Sequence, residues 1–204
     1  MIPKHKVFIS YHHANDQIYR ERLKRLNEIH DIFIDGSVNT GDINDNLDSQ
    51  RIREIIRDDY LKDSTVTILL AGTETKRRKH VDWEIYSSMI NGKRNKRSGI
   101  LVINLPTTNC TYYTASQNGE KDRIYPGYSN WVSVDTRDEY ERRYPHMPAR
   151  IIDNLINDDA TISVVNWNKI VNDLDGLRFL IHKTSENRLN CEYDLHRSMR
   201  RANS

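Results

Sequence analysis

The sequence predicts an α/β protein: an open sheet of parallel strands with helices on both faces. Two observations carry this. Short runs rich in Val, Ile, Leu and Phe alternate with longer stretches of helical apolar spacing, in the order strand, helix, strand, helix, strand, helix, strand. A right-handed helical crossover between successive parallel strands is the connection such an order demands. The chain has 204 residues, which suits one domain with a generous insertion rather than two independent cores.

The first strand is Val7-Phe8-Ile9, running out into Ser10-Tyr11-His12-His13. Asn15 or Asp16 then offers an N-cap, and Ile18, Leu23, Leu26 and Ile29 set the apolar stripe of a first helix. Ile32 to Asp35 forms a second short strand stopped by Gly36, and a polar loop follows through Asn46. Ile52, Ile55 and Ile56 mark a second helix capped by Asp48 or Ser49. The third strand is Val66 to Leu70, the third helix starts near His80 or Val81 and ends near Asn91 before Gly92, and Ile100 to Leu105 is the fourth strand. Residues 106–130 are rich in Thr, Tyr, Asn, Gly and Pro without periodicity and read as a loop or insertion. Beyond them lies a C-terminal elaboration, 131–204. It holds two strand candidates, Trp131 to Val134 and Ile162 to Trp167, with a short helix at Ala149 to Ile156 between them. A last helix follows, with a stripe of Leu174, Leu177, Leu180 and Ile181, and the RSMRRANS tail reads as frayed.

Composition excludes several function classes. Lys plus Arg (31) nearly cancels Asp plus Glu (29), so the chain lacks the global field of a general nucleic-acid binder. No run approaches the ~20 apolar residues of a membrane span. Cys110 and Cys191 are too far apart for a metal-ligand pair and too few for a disulfide framework, which fits a reducing, cytoplasmic setting. His12, His13, Asp16 and His80 make a poor metal site, because adjacent strand residues point to opposite faces and no His-x-x-x-His pair supports them. Ser10 and Tyr11 lack the turn and base that activate a nucleophile and read as pocket wall.

Ligands of open parallel sheets bind beyond the carboxyl ends of the strands. That edge collects Ser10, Tyr11 and His12 from strand one, Asp35 and the Asp42 to Asp45 loop from strand two, and the Thr73 to Lys79 loop from strand three. His80, Asp82, Trp83 and Glu84 follow at the start of the third helix. Carboxylates, aromatics, hydroxyls and cations together suit a phosphorylated, glycosidic ligand. Lys76-Arg77-Arg78-Lys79 is the basic run at this edge, and Arg78 is the first choice for a diphosphate contact.

KVFISYHHAND resembles the first strand of Toll/interleukin receptor (TIR) domains, in which an apolar strand ends in Ser-Tyr or Ser-Phe before an acidic helix start. The segment STVTILLAGTETKRRKHVDWEIYSSMINGKRNKRSGILVIN resembles the third strand, third helix and fourth strand of bacterial TIR-like proteins, including the TIR protein of the Thoeris anti-phage system. The resemblance is good over residues 5–105 and looser beyond, within a single domain spanning 1–204. It implies a flavodoxin-like fold and cleavage of the nicotinamide–ribose bond of NAD. NAD is then substrate, with no cofactor and no metal, and Glu84 takes the position of the catalytic glutamate. Ser10, Tyr11, His12, Asp45, Arg78, His80 and Trp83 are the candidate substrate-binding residues. Many relatives carry a tryptophan four residues before this glutamate. Here His80 holds that position, and Trp83 lies about 100° round the helix from Glu84, to line either the pocket or the core.

The resemblance further implies a cyclic or modified ADP-ribose signal in antiviral defence, a downstream effector, a phage-derived trigger and self-association on activation. Nothing points to a membrane or nucleic-acid partner. Two other classes remain open: a non-enzymatic TIR interaction module, and a nucleoside deoxyribosyltransferase-like enzyme, which also sets a glutamate near a sugar.

Overall fold

A computed structural model of the chain describes residues 2–36 and 47–203. Five strands, β1 (Lys6–Ser10), β2 (Ile34–Asp35), β3 (Val66–Ala71), β4 (Gly99–Asn104) and β5 (Ser163–Asn166), form one all-parallel sheet in the order β2-β1-β3-β4-β5. This is the flavodoxin-like arrangement, whose strand order reverses between β1 and β3. Both faces of β3 and β4 are buried, which is why those strands read as unbroken apolar runs.

Successive strand residues feed opposite faces. Val7 and Ile9 of β1 join Ile68 and Leu70 of β3 and Leu101 and Ile103 of β4 in a core with Leu23 of α1 (His13–His30) and Leu177, Leu180 and Ile181 of α8 (Leu174–Asn187). Phe8 faces the other way, toward α2 (Ser49–Ile55) and α3 (Lys79–Met89), with Ile52, Ile56, Leu61, Trp83 and Met199. Leu69, Ile100 and Val102 on that same face meet Val81, Ile85 and Met89 of α3 and Ile151 and Ile152 of α6 (Ala149–Ile156).

Most expected elements are present. Asp48 caps α2, its carboxylate accepting the Arg51 N–H at 2.9 Å, and a π-helical turn, Ile56–Tyr60, continues that helix. Several readings are corrected. α1 starts at His13, so Asp16 lies inside the helix rather than capping it. Its buried stripe is Tyr19, Leu23 and Leu26, spaced i, i+4, i+7, whereas Ile18 and Ile29 are off that phase and exposed. Trp131 to Val134 is not a strand. Thr114 already occupies the position beside β5, bridging Val164, and Trp131 packs instead on the rings of Tyr113, Tyr125 and Tyr128. Within 106–136 the chain forms a 3₁₀ turn (Pro106–Thr108) and the short helix α4 (Glu120–Ile124); α5 (Arg137–Arg143) follows, and α7 (Trp167–Val171) follows β5.

The tail is docked, not frayed. Met199 is buried against Trp83, and the Asp82 carboxylate accepts the Arg200 N–H at 2.8 Å. The Trp83 indole N–H donates to the Arg200 carbonyl at 2.7 Å, and Asn203 Oδ1 accepts the Lys79 N–H at the start of α3. These partners lie more than 100 residues apart in sequence, beyond the reach of any local pattern.

Candidate active site

β1 and α3 build the centre of the site. Ser10 is the last residue of β1 and points to the same face as Phe8, toward α3. Its hydroxyl donates to Glu84 Oε2 at 2.6 Å, and both side chains are buried. One turn further along α3, Ser88 shares a 2.7 Å hydrogen bond with Thr67 of β3 and donates to the Glu84 carbonyl at 2.7 Å. Positions 84 and 88 lie on one helix face, so two polar contacts, one to each central strand, fix how far α3 stands along the sheet. The carboxylate therefore sits where β1 and β3 diverge, the switch point at which flavodoxin-like sheets hold ligands.

Burial pushes the Glu84 carboxyl up to about 7, and the Ser10 hydrogen bond offsets part of that rise. A second carboxylate stands at the same edge. Asp16, in the first turn of α1, is buried and raised to about 6 by desolvation, with Thr75 Oγ1 at 3.4 Å lowering it slightly. Thr75 Oγ1 also accepts the Gly72 N–H at 2.8 Å, and a Cβ at Gly72 would overlap the Asp16 carboxylate oxygens. Sequence reading assigns Asp16 to a cap. The glycine directly after β3 is the signal that another group approaches there.

The candidate substrate-binding residues divide. Tyr11 and His12 continue β1 beyond Ser10. The Tyr11 ring stacks on His13 with centroids 4.4 Å apart, and its hydroxyl donates to Gln17. His12 is held below its ordinary range by burial and by the Arg78 charge, and among the described residues its Nδ1 has no hydrogen-bond partner. His80 is exposed, with its ring edge-on to Trp83. Trp83 is a core residue, 2% exposed, with its indole N–H committed to Arg200, so it has no free face to stack on a base or nicotinamide. Arg78 sits just before α3, near Glu74 at 3.4 Å, and lines a cleft that Glu84 does not line. Asp45 lies outside the described residues. Among the described residues no three His, Cys, Asp or Glu side chains converge as a metal site. No described helix is long and apolar enough to cross a membrane.

A parallel five-stranded sheet in flavodoxin-like order is the fold the TIR resemblance implies. The model of the family described as "Thoeris protein ThsB, TIR-like domain" matches residues 8–110. The chain belongs to this family. The matched region runs from β1 through β4 and so contains Ser10, Asp16, Gly72, Thr75 and Glu84, whereas α6, β5, α8 and the docked tail lie outside it. No curated protein and no solved structure matches the chain. Residues 111–204, beyond the matched region, supply the edge strand β5 and the segment packed over α3.

Proposed function

We propose that this ThsB TIR-like protein cleaves the nicotinamide–ribose bond of NAD and releases a cyclic or otherwise modified ADP-ribose as a diffusible signal in antiviral defence. The observation that carries the reading is the Ser10–Glu84 pair at the switch point of the sheet. Glycosidic cleavage passes through a cation-like ribose. A fixed carboxylate facing that charge stabilises the transition state more than the ground state. Nicotinamide already carries a positive charge in NAD and departs without protonation, so one carboxylate suffices. Ser10 orients the Glu84 carboxylate, while Tyr11 and His12 continue its strand as the adjoining wall. The signal would act on a downstream effector in the cytoplasm, with a phage-derived trigger and self-association switching the enzyme on.

A second reading, a non-enzymatic interaction module, is favoured by the depth of Glu84, which is 5% exposed with its Oε2 engaged by Ser10. The two readings separate on one assay. Nicotinamide release from NAD is followed for the wild type and Glu84→Gln, with and without lysate from phage-infected cells as trigger, and circular dichroism serves as the folding control. The enzymatic reading expects triggered turnover that a folded Glu84→Gln variant loses by at least about 100-fold. Wild-type rates in that variant, or no turnover under any trigger, favour the interaction module.

A further inference from the structure

On the side of α3 that carries Asp82, a cleft of about 210 Å³ is lined by Lys76, Arg78, Arg150, Arg197 and Arg200, with Asp82 as its one carboxylate. These five cations come from three separate stretches of chain: the β3–α3 turn, the start of α6 and the docked tail. Asp82 is spent within the protein. It accepts Arg150 Nε at 2.9 Å, Arg150 Nη2 at 3.2 Å and the Arg200 N–H at 2.8 Å. Glu74, which pairs with Arg78, and Asp153, which pairs with Arg197, do not line the cleft. Arg150 is in turn spent on Asp82, which leaves Lys76, Arg78, Arg197 and Arg200 as the cationic lining, and a concave wall of like charge raises the local concentration of counter-ions far more than the same charges on a convex surface.

The wall is also held in place. Arg150 is fully buried, its Nη1 donating to the Arg197 carbonyl at 2.9 Å and its Nη2 to the Ser198 carbonyl at 3.1 Å, and its guanidinium lies 4.5 Å from the Tyr86 ring centre. The tail that brings Arg197 and Arg200 to the cleft is thus anchored before any ligand arrives. Guanidinium forks hold phosphate oxygens through charge-assisted, paired hydrogen bonds, so several of them at one concave site suit a polyanionic group such as a diphosphate. A cleft of this volume has room for a diphosphate.

We propose that this cleft is a binding site for the diphosphate group of a small molecule, distinct from the site at Glu84. Asp82 and Glu84 are two residues apart and so lie about 200° apart round α3. A ligand in the cleft grips the helix from the side opposite the Ser10 contact.

Calorimetric titration with sodium pyrophosphate tests this without reference to turnover, so its result stands whether or not the protein cleaves NAD. Side-chain replacement at Arg200 leaves its main-chain bonds to Asp82 and Trp83 in place, so Arg200→Gln and Arg78→Gln are the informative variants. Circular dichroism checks their folding. Arg94→Gln, beyond the far end of α3, is the charge-matched control. The expected result is saturable binding that weakens about ten- to hundred-fold in Arg78→Gln and Arg200→Gln and is unchanged in Arg94→Gln and Glu84→Gln. Titration with ADP identifies the source of the group: tighter binding than pyrophosphate assigns a nucleoside diphosphate, weaker binding an inorganic one. Absence of saturable pyrophosphate binding at millimolar concentration overturns the proposal, as does equal weakening by Arg94→Gln. Displacement of pyrophosphate by NAD in the wild type but not in Glu84→Gln overturns the separation of the two sites.

Discussion

The Ser10 hydroxyl and the Glu84 carboxylate, 74 residues apart in sequence, meet at 2.6 Å with both side chains buried. The hydroxyl is the hydrogen-bond donor that favours the ionised carboxylate against a burial that opposes it. Removing it in Ser10→Ala leaves burial unopposed. The expected outcome is a shift of the ascending limb of the pH–rate profile for nicotinamide release to higher pH, by about one to two units. A profile of lower rate but unchanged midpoint would show that Ser10 does not set the ionisation of Glu84.

The same burial makes Glu84 a stability sensor. Its carboxyl is raised to about 7 in the folded chain against 4.5 for an ordinary glutamate, so the folded state binds the proton more tightly than the unfolded state. The resulting stability is fully present below the unfolded value and is lost as pH rises through about 7. Glu84→Gln keeps the shape and an acceptor for Ser10 but cannot ionise. Chemical denaturation should find the variant more stable than the wild type at pH 8, by an amount on the order of 3 kcal/mol, with the gap closing toward pH 5. A gap that is constant with pH would refute the shifted carboxyl.

What was legible in the sequence follows from how local each signal is. β1, β3 and β4 announce themselves because two-sided burial demands consecutive apolar residues, and α3 is readable from its place between two such strands. Ser10 and Glu84 fall together at one sheet edge by topology alone. The catalytic reading of Glu84, by contrast, comes from the TIR resemblance alone, since a lone glutamate in an early helical turn is ordinarily a surface charge. Asp16 reads as a cap because a polar residue before an apolar stripe looks like one, and its burial at the sheet edge is not legible. Its burial depends on Gly72, which is 56 residues away. Trp83 could not be assigned from periodicity, because the surface that covers it includes Met199 and Arg200, contributed by a segment with no regular structure of its own.

Gly72 and Asp16 allow a direct test of that approach. A methyl at position 72 overlaps the Asp16 oxygens, so Gly72→Ala should destabilise the protein by about 1–3 kcal/mol. In an Asp16→Ala background the oxygens are gone and the same substitution should be close to neutral. Equal costs in the two backgrounds, measured as a double-mutant cycle by urea denaturation, would mean that the glycine serves some purpose other than admitting the carboxylate.

The last expectation concerns how the 197–203 segment is kept on α3. Asp82 carries two loads: it is the counter-charge of a fully buried guanidinium, Arg150, and it accepts the Arg200 N–H. Asp82→Asn preserves the side-chain volume but leaves Arg150 buried without its charge partner, a change that in comparable buried pairs costs about 3–5 kcal/mol. The cheapest relaxation is for Arg150 to reach water, which requires it to release the Arg197 and Ser198 carbonyls. Among the described residues no strand residue hydrogen-bonds to Asp82 or Arg150, and the sheet should stay folded. Hydrogen exchange should therefore show lost protection at Arg200 and in the first turn of α3, where Asn203 Oδ1 holds the Lys79 N–H, while β3 and β4 exchange as in the wild type. Trp83 emission should shift to the red as its indole N–H parts from Arg200 and meets solvent. Arg150→Met in the same chain removes the stranded charge as well, so Asp82→Asn with Arg150→Met should recover much of the lost stability without restoring protection at Arg200, whose acceptor is still altered. If the double variant is no more stable than Asp82→Asn alone, the cost does not arise from an unpaired buried guanidinium and the segment is held by Met199 packing instead.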